Sequence, residues 1–86
     1  MRIRKILVDE EIEEKILYEH LITREEIDDA LHQGKPKFLK IRNSLYMAIA
    51  NYNGYITIIF EHEKQAATVK TAYRSSDAQI KYYKKK

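Results

Sequence analysis

The stretch LYMAIANYNGYITIIF, residues 45–60, decides how the rest of the chain is read. Two runs rich in β-branched and aromatic residues flank Asn53-Gly54. Asn-Gly favours a type I′ hairpin, because both central positions of that turn need positive φ. The spacing predicts strands over 45–52 and 55–62, joined by a two-residue loop. Such a loop sets the register, so Tyr52 faces Tyr55, Asn51 faces Ile56, Ile49 faces Ile58 and Met47 faces Phe60. That face is apolar and suits a covering layer of helices. The opposite face carries Tyr46 across from Glu61, Ala48 across from Ile59 and Ala50 across from Thr57, and is smaller and wetter.

Strands extend on both sides of the hairpin. Lys37–Arg42 and Ala66–Tyr73 keep the period of two, with Asn43-Ser44 and Glu63-Lys64-Gln65 as turns. Keeping lysine out of the core points Leu39, Ile41, Val69 and Thr71 inward. Lys40, Arg42, Lys70 and Arg74 then gather with Tyr46 and Glu61 on the wet face. A slip of one residue in any strand reverses its face. Residues 2–8 can form a further short strand.

The period changes in the N-terminal part and at the C-terminus. Asp9 is an N-cap, with Glu10 and Glu11 where the helix dipole favours negative charge. Ile12, Ile16 and His20 form one stripe, widened by Leu17. Thr23 and Glu26 make a capping box, and Ile22 and Ile27 a hydrophobic staple. Ile27, Ala30 and Leu31 supply the buried face of this second helix, which Gly34 and Pro36 end. Ser76 and Gln79 repeat the capping-box pattern before a short helix carrying Ile80 and Tyr83, and the Lys84-Lys85-Lys86 tail reads as solvated. The expected architecture is α+β: two helices on one face of a four-stranded antiparallel meander, then a short C-terminal helix. At 86 residues this is a single domain spanning 1–86.

Composition excludes several chemistries. There is no cysteine, which rules out a disulfide scaffold, a thiolate zinc site and a cysteine nucleophile, and fits a reducing cytoplasm. No apolar run approaches the ~20 residues of a membrane helix, and no signal-peptide core follows Met1–Lys5. The three histidines lack ligand spacing, and the chain has no phosphate-binding glycine loop or nucleophile elbow. The net charge of +3 conceals an asymmetry. Residues 9–33 carry ten acidic side chains against two basic ones, a net of −8. Residues 34–86 carry eleven basic against three acidic, a net of +8. A basic sheet and tail fused to acidic helices points to a polyanionic or acidic partner for the basic part.

The basic face suits RNA. The 2′-hydroxyl of RNA is a built-in nucleophile, so a protein need only position it, take its proton and stabilise charge on the phosphate. Lys40, Arg42, Lys70 and Arg74 are the candidate phosphate contacts. Glu61, Tyr46 or a histidine could take the proton. His20 is the candidate histidine, although a helix C-terminus and a continuing apolar stripe also explain it structurally. A charged outer sheet face is equally an ordinary solvated surface. His32 and His62 lie at element ends and read as solvated.

The arrangement resembles the BrnT-type toxins, small ribonucleases of bacterial toxin–antitoxin pairs related in fold to RelE. Three patterns carry the resemblance. Glu14-Lys15-Ile16, His20, Ile22-Thr23 and Glu25-Glu26-Ile27 form the first. The hairpin around Asn53-Gly54, ending Ile58-Ile59-Phe60, is the second. The third is Thr71-Ala72-Tyr73-Arg74-Ser75-Ser76 followed by a helix with Tyr83. The resemblance implies an mRNA-cleaving toxin that needs no metal or cofactor and is neutralised by a cognate antitoxin protein. With the basic face read above, the candidate catalytic or supporting groups are Glu61, Arg74, Tyr46, His20 and Tyr83, of which His20, Arg74 and Tyr83 lie in the patterns of the resemblance. Three positions depart from the pattern: Leu21 replaces a glycine, Tyr73 an arginine and Gln79 a glutamate. These departures motivate a second class, a noncatalytic RNA- or protein-binding module of the same fold.

Overall fold

Capping chemistry fixes where the helices begin. A computed structural model describes residues 1–85; of the tail read as solvated, Lys86 lies outside the described residues. Asp9 caps α1 (Glu10–His20), its carboxylate accepting from the Glu11 N–H at 2.9 Å. Thr23 and Glu26 satisfy each other's backbone N–H at the start of α2 (Arg24–Gln33). Ser76 and Gln79 do the same for α3 (Asp77–Lys84). The strands are β1 (Lys5–Val8), β2 (Lys37–Arg42), β3 (Leu45–Asn51), β4 (Tyr55–Glu63) and β5 (Ala66–Arg74).

These strands form one sheet in the order β1-β5-β4-β3-β2. Strands β2 to β5 are the expected antiparallel meander. The N-terminal strand is real and pairs parallel to β5, which makes the sheet mixed. Its inner face meets the two N-terminal helices. Ile16, Ile22, Ile27, Ala30 and Leu31 pack there with Ile6, Ala48, Ala50, Ile56, Ile58, Phe60, Ala67, Val69 and Ala72. Each fully buried large aliphatic side chain contributes roughly 1.5–3 kcal/mol relative to exposure.

The central hairpin is slipped by one residue from the expected register. Asn51, not Tyr52, faces Tyr55, so the loop has three residues, Tyr52-Asn53-Gly54. Positive φ is retained at Asn53 (54°) and Gly54 (101°). The Tyr52 N–H donates to the Gly54 carbonyl at 2.9 Å, closing the loop instead of extending the ladder. The slip leaves β4 as expected, with Ile56, Ile58 and Phe60 inward, but reverses β3. Ala48 and Ala50 face the helices, and Met47 and Ile49 face outward.

The physical reason is the close approach of the α2 terminus. A Cβ on Gly34 would stand 2.6 Å from the Ala30 carbonyl oxygen and 2.9 Å from the Ala50 Cβ. The Gly34 carbonyl also accepts from the Asn51 N–H at 3.0 Å. Only small residues fit both sides of that contact. Gly34 is therefore a packing glycine, with φ −83°, and the left-handed residue after α2 is Lys35.

Two irregularities reassign the outer strands. In β5, Ile59 faces Thr71 but Phe60 faces Val69, so Lys70 is an extra residue. Val69 and Ala72 lie inward as a result, Lys70, Thr71 and Tyr73 outward, and Arg74 returns to the helix face opposite Ile56. In β2, Phe38 and Lys40 pair with Ala48 and Tyr46 on the helix side, while Leu39 pairs with Met47 on the outer side. The expected inward Leu39 and Thr71 and outward Lys40 and Arg74 are thus corrected. Helix α3 covers part of the outer face over β3, where Ile49 is buried outside the main core.

Candidate functional site

The outer sheet face has a charged end and a neutral end. At the charged end the Asn43-Ser44 turn brings Arg42 beside Leu45, and the bulge turns Lys70 toward Glu61. The His62 N–H donates to the Ser44 carbonyl at 2.8 Å and holds the turn against β4. Arg42, Asn43, Ser44, Leu45, Ile59, Glu61 and Lys70 line an open depression of about 430 Å³. Lys70 Nζ lies 2.9 Å from Glu61 Oε1, with both side chains nearly half exposed. A pair this wet is worth about 0–1 kcal/mol, so an incoming phosphate can compete for the ammonium. Among the described residues, no carboxylate lies within ion-pair distance of Arg42. Three of the sequence-predicted residues, Arg42, Glu61 and Lys70, therefore do converge.

The others are elsewhere. Tyr46 lies on the helix face, stacked on Phe60 at 6.0 Å and edge-on to His62 at 6.1 Å. His62 is only half exposed, and its Nε2 lies 2.9 Å from the Arg2 carbonyl, so it is not simply solvated. Arg74 Nη2 pairs with Glu26 Oε2 at 3.2 Å and bridges β5 to α2. Lys40 is exposed on the helix side of the edge strand. Tyr83 donates its hydroxyl to the Gly34 and Lys35 carbonyls at 3.2 and 2.9 Å, tying α3 to the link between α2 and β2. Arg74 and Tyr83 thus hold elements together.

His20 belongs to the neutral end. Its ring centroid lies 6.1 Å from that of Tyr73. Gln79 donates from Nε2 to the Tyr73 hydroxyl at 3.0 Å and approaches Met47 Sδ at 3.8 Å. Its Oε1 accepts from the Ser76 N–H at 2.9 Å and from Thr57 Oγ1 at 3.0 Å. Because Thr57 spends its proton on Gln79, Ser75 Oγ is the donor in the 2.7 Å contact to Thr57. Thr57 is fully buried. The sequence did not mark this cluster as a site. Its signal was present, since Tyr73 and Gln79 are two positions that depart from the resemblance. They meet in space with His20, the histidine of the same pattern.

Among the described residues, no group of three His, Asp or Glu side chains stands close enough to hold a metal ion. No described helix is long and apolar enough to cross a membrane. Away from both ends, Asp29 raises the Tyr52 phenol above its usual value near 10, as hydrogen-bond acceptor first and as a negative charge second.

No protein-family model and no curated protein matches the chain. A solved structure does: the 1.1 Å crystal structure of the Brucella abortus ribonuclease toxin BrnT. The similarity covers 85% of this chain and 97% of BrnT, with a TM-score of 0.70 and 22% identity. The order of elements, the mixed five-stranded sheet and this match agree with the resemblance read from the sequence, and the chain has the fold of the BrnT ribonuclease toxin.

Proposed function

We propose that this chain is the toxin of a type II toxin–antitoxin pair and a metal-free endoribonuclease acting on cytoplasmic mRNA. The observation that carries the reading is the depression holding Glu61 between two cations on the fold of a ribonuclease toxin. Arg42 and Lys70 bind the non-bridging oxygens of the scissile phosphate and stabilise the charge that builds there. Glu61, released from Lys70 by the phosphate, takes the proton of the 2′-hydroxyl. The 2′-oxygen forms a bond to phosphorus, the bond to the 5′-oxygen breaks, and that oxygen leaves with a proton from solvent. Leu45 and Ile59 give the flanking base an apolar floor. A cognate antitoxin protein neutralises the activity.

Induced expression tests this reading. Growth should arrest, and purified protein should cut RNA in the presence of a chelator. The double variant Arg42→Ala with Lys70→Ala should relieve the arrest. Arrest and cleavage that persist in the double variant remove the site assignment.

One observation favours a second reading, a noncatalytic binding module of the same fold. His20 lies beside neutral Tyr73, whose hydroxyl is bonded by neutral Gln79, where the resemblance expects arginine and glutamate. Salt-sensitive RNA binding with no cleavage would select it over the first.

A further inference from the structure

Helix α1 has two apolar faces, and the core uses only one. Ile16 is buried, with Ile12 half-buried beside it. Leu17, Tyr18 and Leu21 point the other way and are 48%, 88% and 76% exposed. With Glu14 they fall at i, i+3, i+4 and i+7, the spacing by which one helix presents anchors to a partner. Single exposed apolar residues are ordinary, whereas three adjacent on one helical face form a patch.

Leu21 sharpens the case. It ends α1 in the left-handed conformation, φ 56°, with its N–H donating to the Leu17 carbonyl at 3.0 Å. A residue with a Cβ is disfavoured there, and glycine is the usual choice. The next residue, Ile22, turns into the core and is 1% exposed. The backbone thus accepts strain at a position whose side chain contributes nothing to the core. The surroundings are acidic: Glu10, Glu11, Glu14 and Glu19 are exposed on α1, against Lys15 as its one lysine or arginine.

We propose that Leu17, Tyr18 and Leu21 dock a basic amphipathic helix of a partner protein. The apolar side chains are the anchors, and the α1 glutamates receive the partner's lysines or arginines. Charge complementarity selects this occupant. A second copy of α1 on the same face would bring the glutamates together and is opposed by like-charge repulsion. The inference does not rest on the RNA chemistry, and its test contains no RNA.

The probe is a fluorescently labelled synthetic Lys/Leu amphipathic helix, titrated with the full chain by fluorescence anisotropy and compared with a Glu/Leu helix of equal length. The variant is Tyr18→Gln with Leu21→Gly. Both positions are exposed, and glycine suits the left-handed cap, so thermal melting should match or exceed that of the native chain. The Lys/Leu helix should bind, weaken with added salt, and lose about tenfold or more in affinity for the variant. Equal binding to both proteins, or equal binding of the Glu/Leu helix, overturns the proposal. Self-association of the native chain in sedimentation, lost in the variant, also overturns it, because a second copy would then be the occupant.

Discussion

The two ends of the outer sheet face are built from the same strands and solve opposite problems. At one end Glu61 and Lys70 meet in water across β4 and β5, with Arg42 nearby at the β2–β3 turn. At the other end Thr57 and Tyr73, on those same strands, are closed over by Gln79 of α3. The first end holds charge that is weakly committed and open to a ligand. The second holds neutral dipoles that are fully committed to one another. Availability, not residue type, separates a candidate reactive site from a structural one: the hydroxyls and the amide at the neutral end, beside His20, look more like an active site on paper, yet Thr57, Ser75, Tyr73 and Gln79 already bond one another.

The largest expected effect tests that separation directly. Glu61→Gln should lower cleavage of a labelled RNA by about 100-fold or more, the scale of a lost general base. Tyr73→Phe should leave the rate within a few-fold. The reverse ranking would move the chemistry to the His20 end. Next in size is a stability effect at the neutral end. Thr57→Val leaves the Ser75 hydroxyl without its Thr57 acceptor and the Gln79 side-chain oxygen with the Ser76 N–H as its remaining donor, at a cost of about 1–3 kcal/mol in urea unfolding. A loss below that range would show that the network is not as closed as its geometry.

Lys70→Ala should do the opposite of Thr57→Val. Stability should stay within about 1 kcal/mol, because the pair it breaks is half exposed. RNA affinity should fall at every sequence, with a salt dependence shallower by roughly 0.7 in the log–log slope. The smallest effect belongs to neither end and serves as a control. Asp29 raises the Tyr52 pKa in the folded chain, so the folded state holds that proton longer than the unfolded chain does. The stabilisation is fully present below about pH 10. It fades as pH rises through the higher folded value. Tyr52→Phe should therefore cost a little stability near neutrality, and the difference from the native chain should shrink as pH rises past about 10, as pH-dependent melting would read.

Local chemistry made much of the fold legible. Three helix starts follow from side chains reaching backbone donors two or three residues away, and all three were readable at Asp9, Thr23 and Ser76. The strand boundaries and the positive φ of Asn53-Gly54 follow from equally local preferences. The depression was half legible. Glu61 and Lys70 were correctly placed on one face because β4 kept its parity and Lys70, which follows the inward Val69, is itself the bulged residue of β5. Arg42 also reached the outer face, because the strand irregularity beside Ile41 compensates for the reversed parity of β2. Arg74 and Tyr46 were lost from the site for the complementary reason.

The sequence by itself determined the element order, the helix caps, the acidic helical layer and the basic sheet, since each depends on contacts a few residues apart or on composition alone. The tertiary structure alone decided register and face. A strand with alanine or isoleucine at alternate positions can turn either set inward, and an Asn-Gly pair can close a loop of two residues or three. What chose between them in β3 was a contact between residues sixteen positions apart, Gly34 against Ala50. The space available there admits a methyl group and excludes isoleucine, and that packing constraint on β3, together with the irregularities in β2 and β5, set which charges share a face.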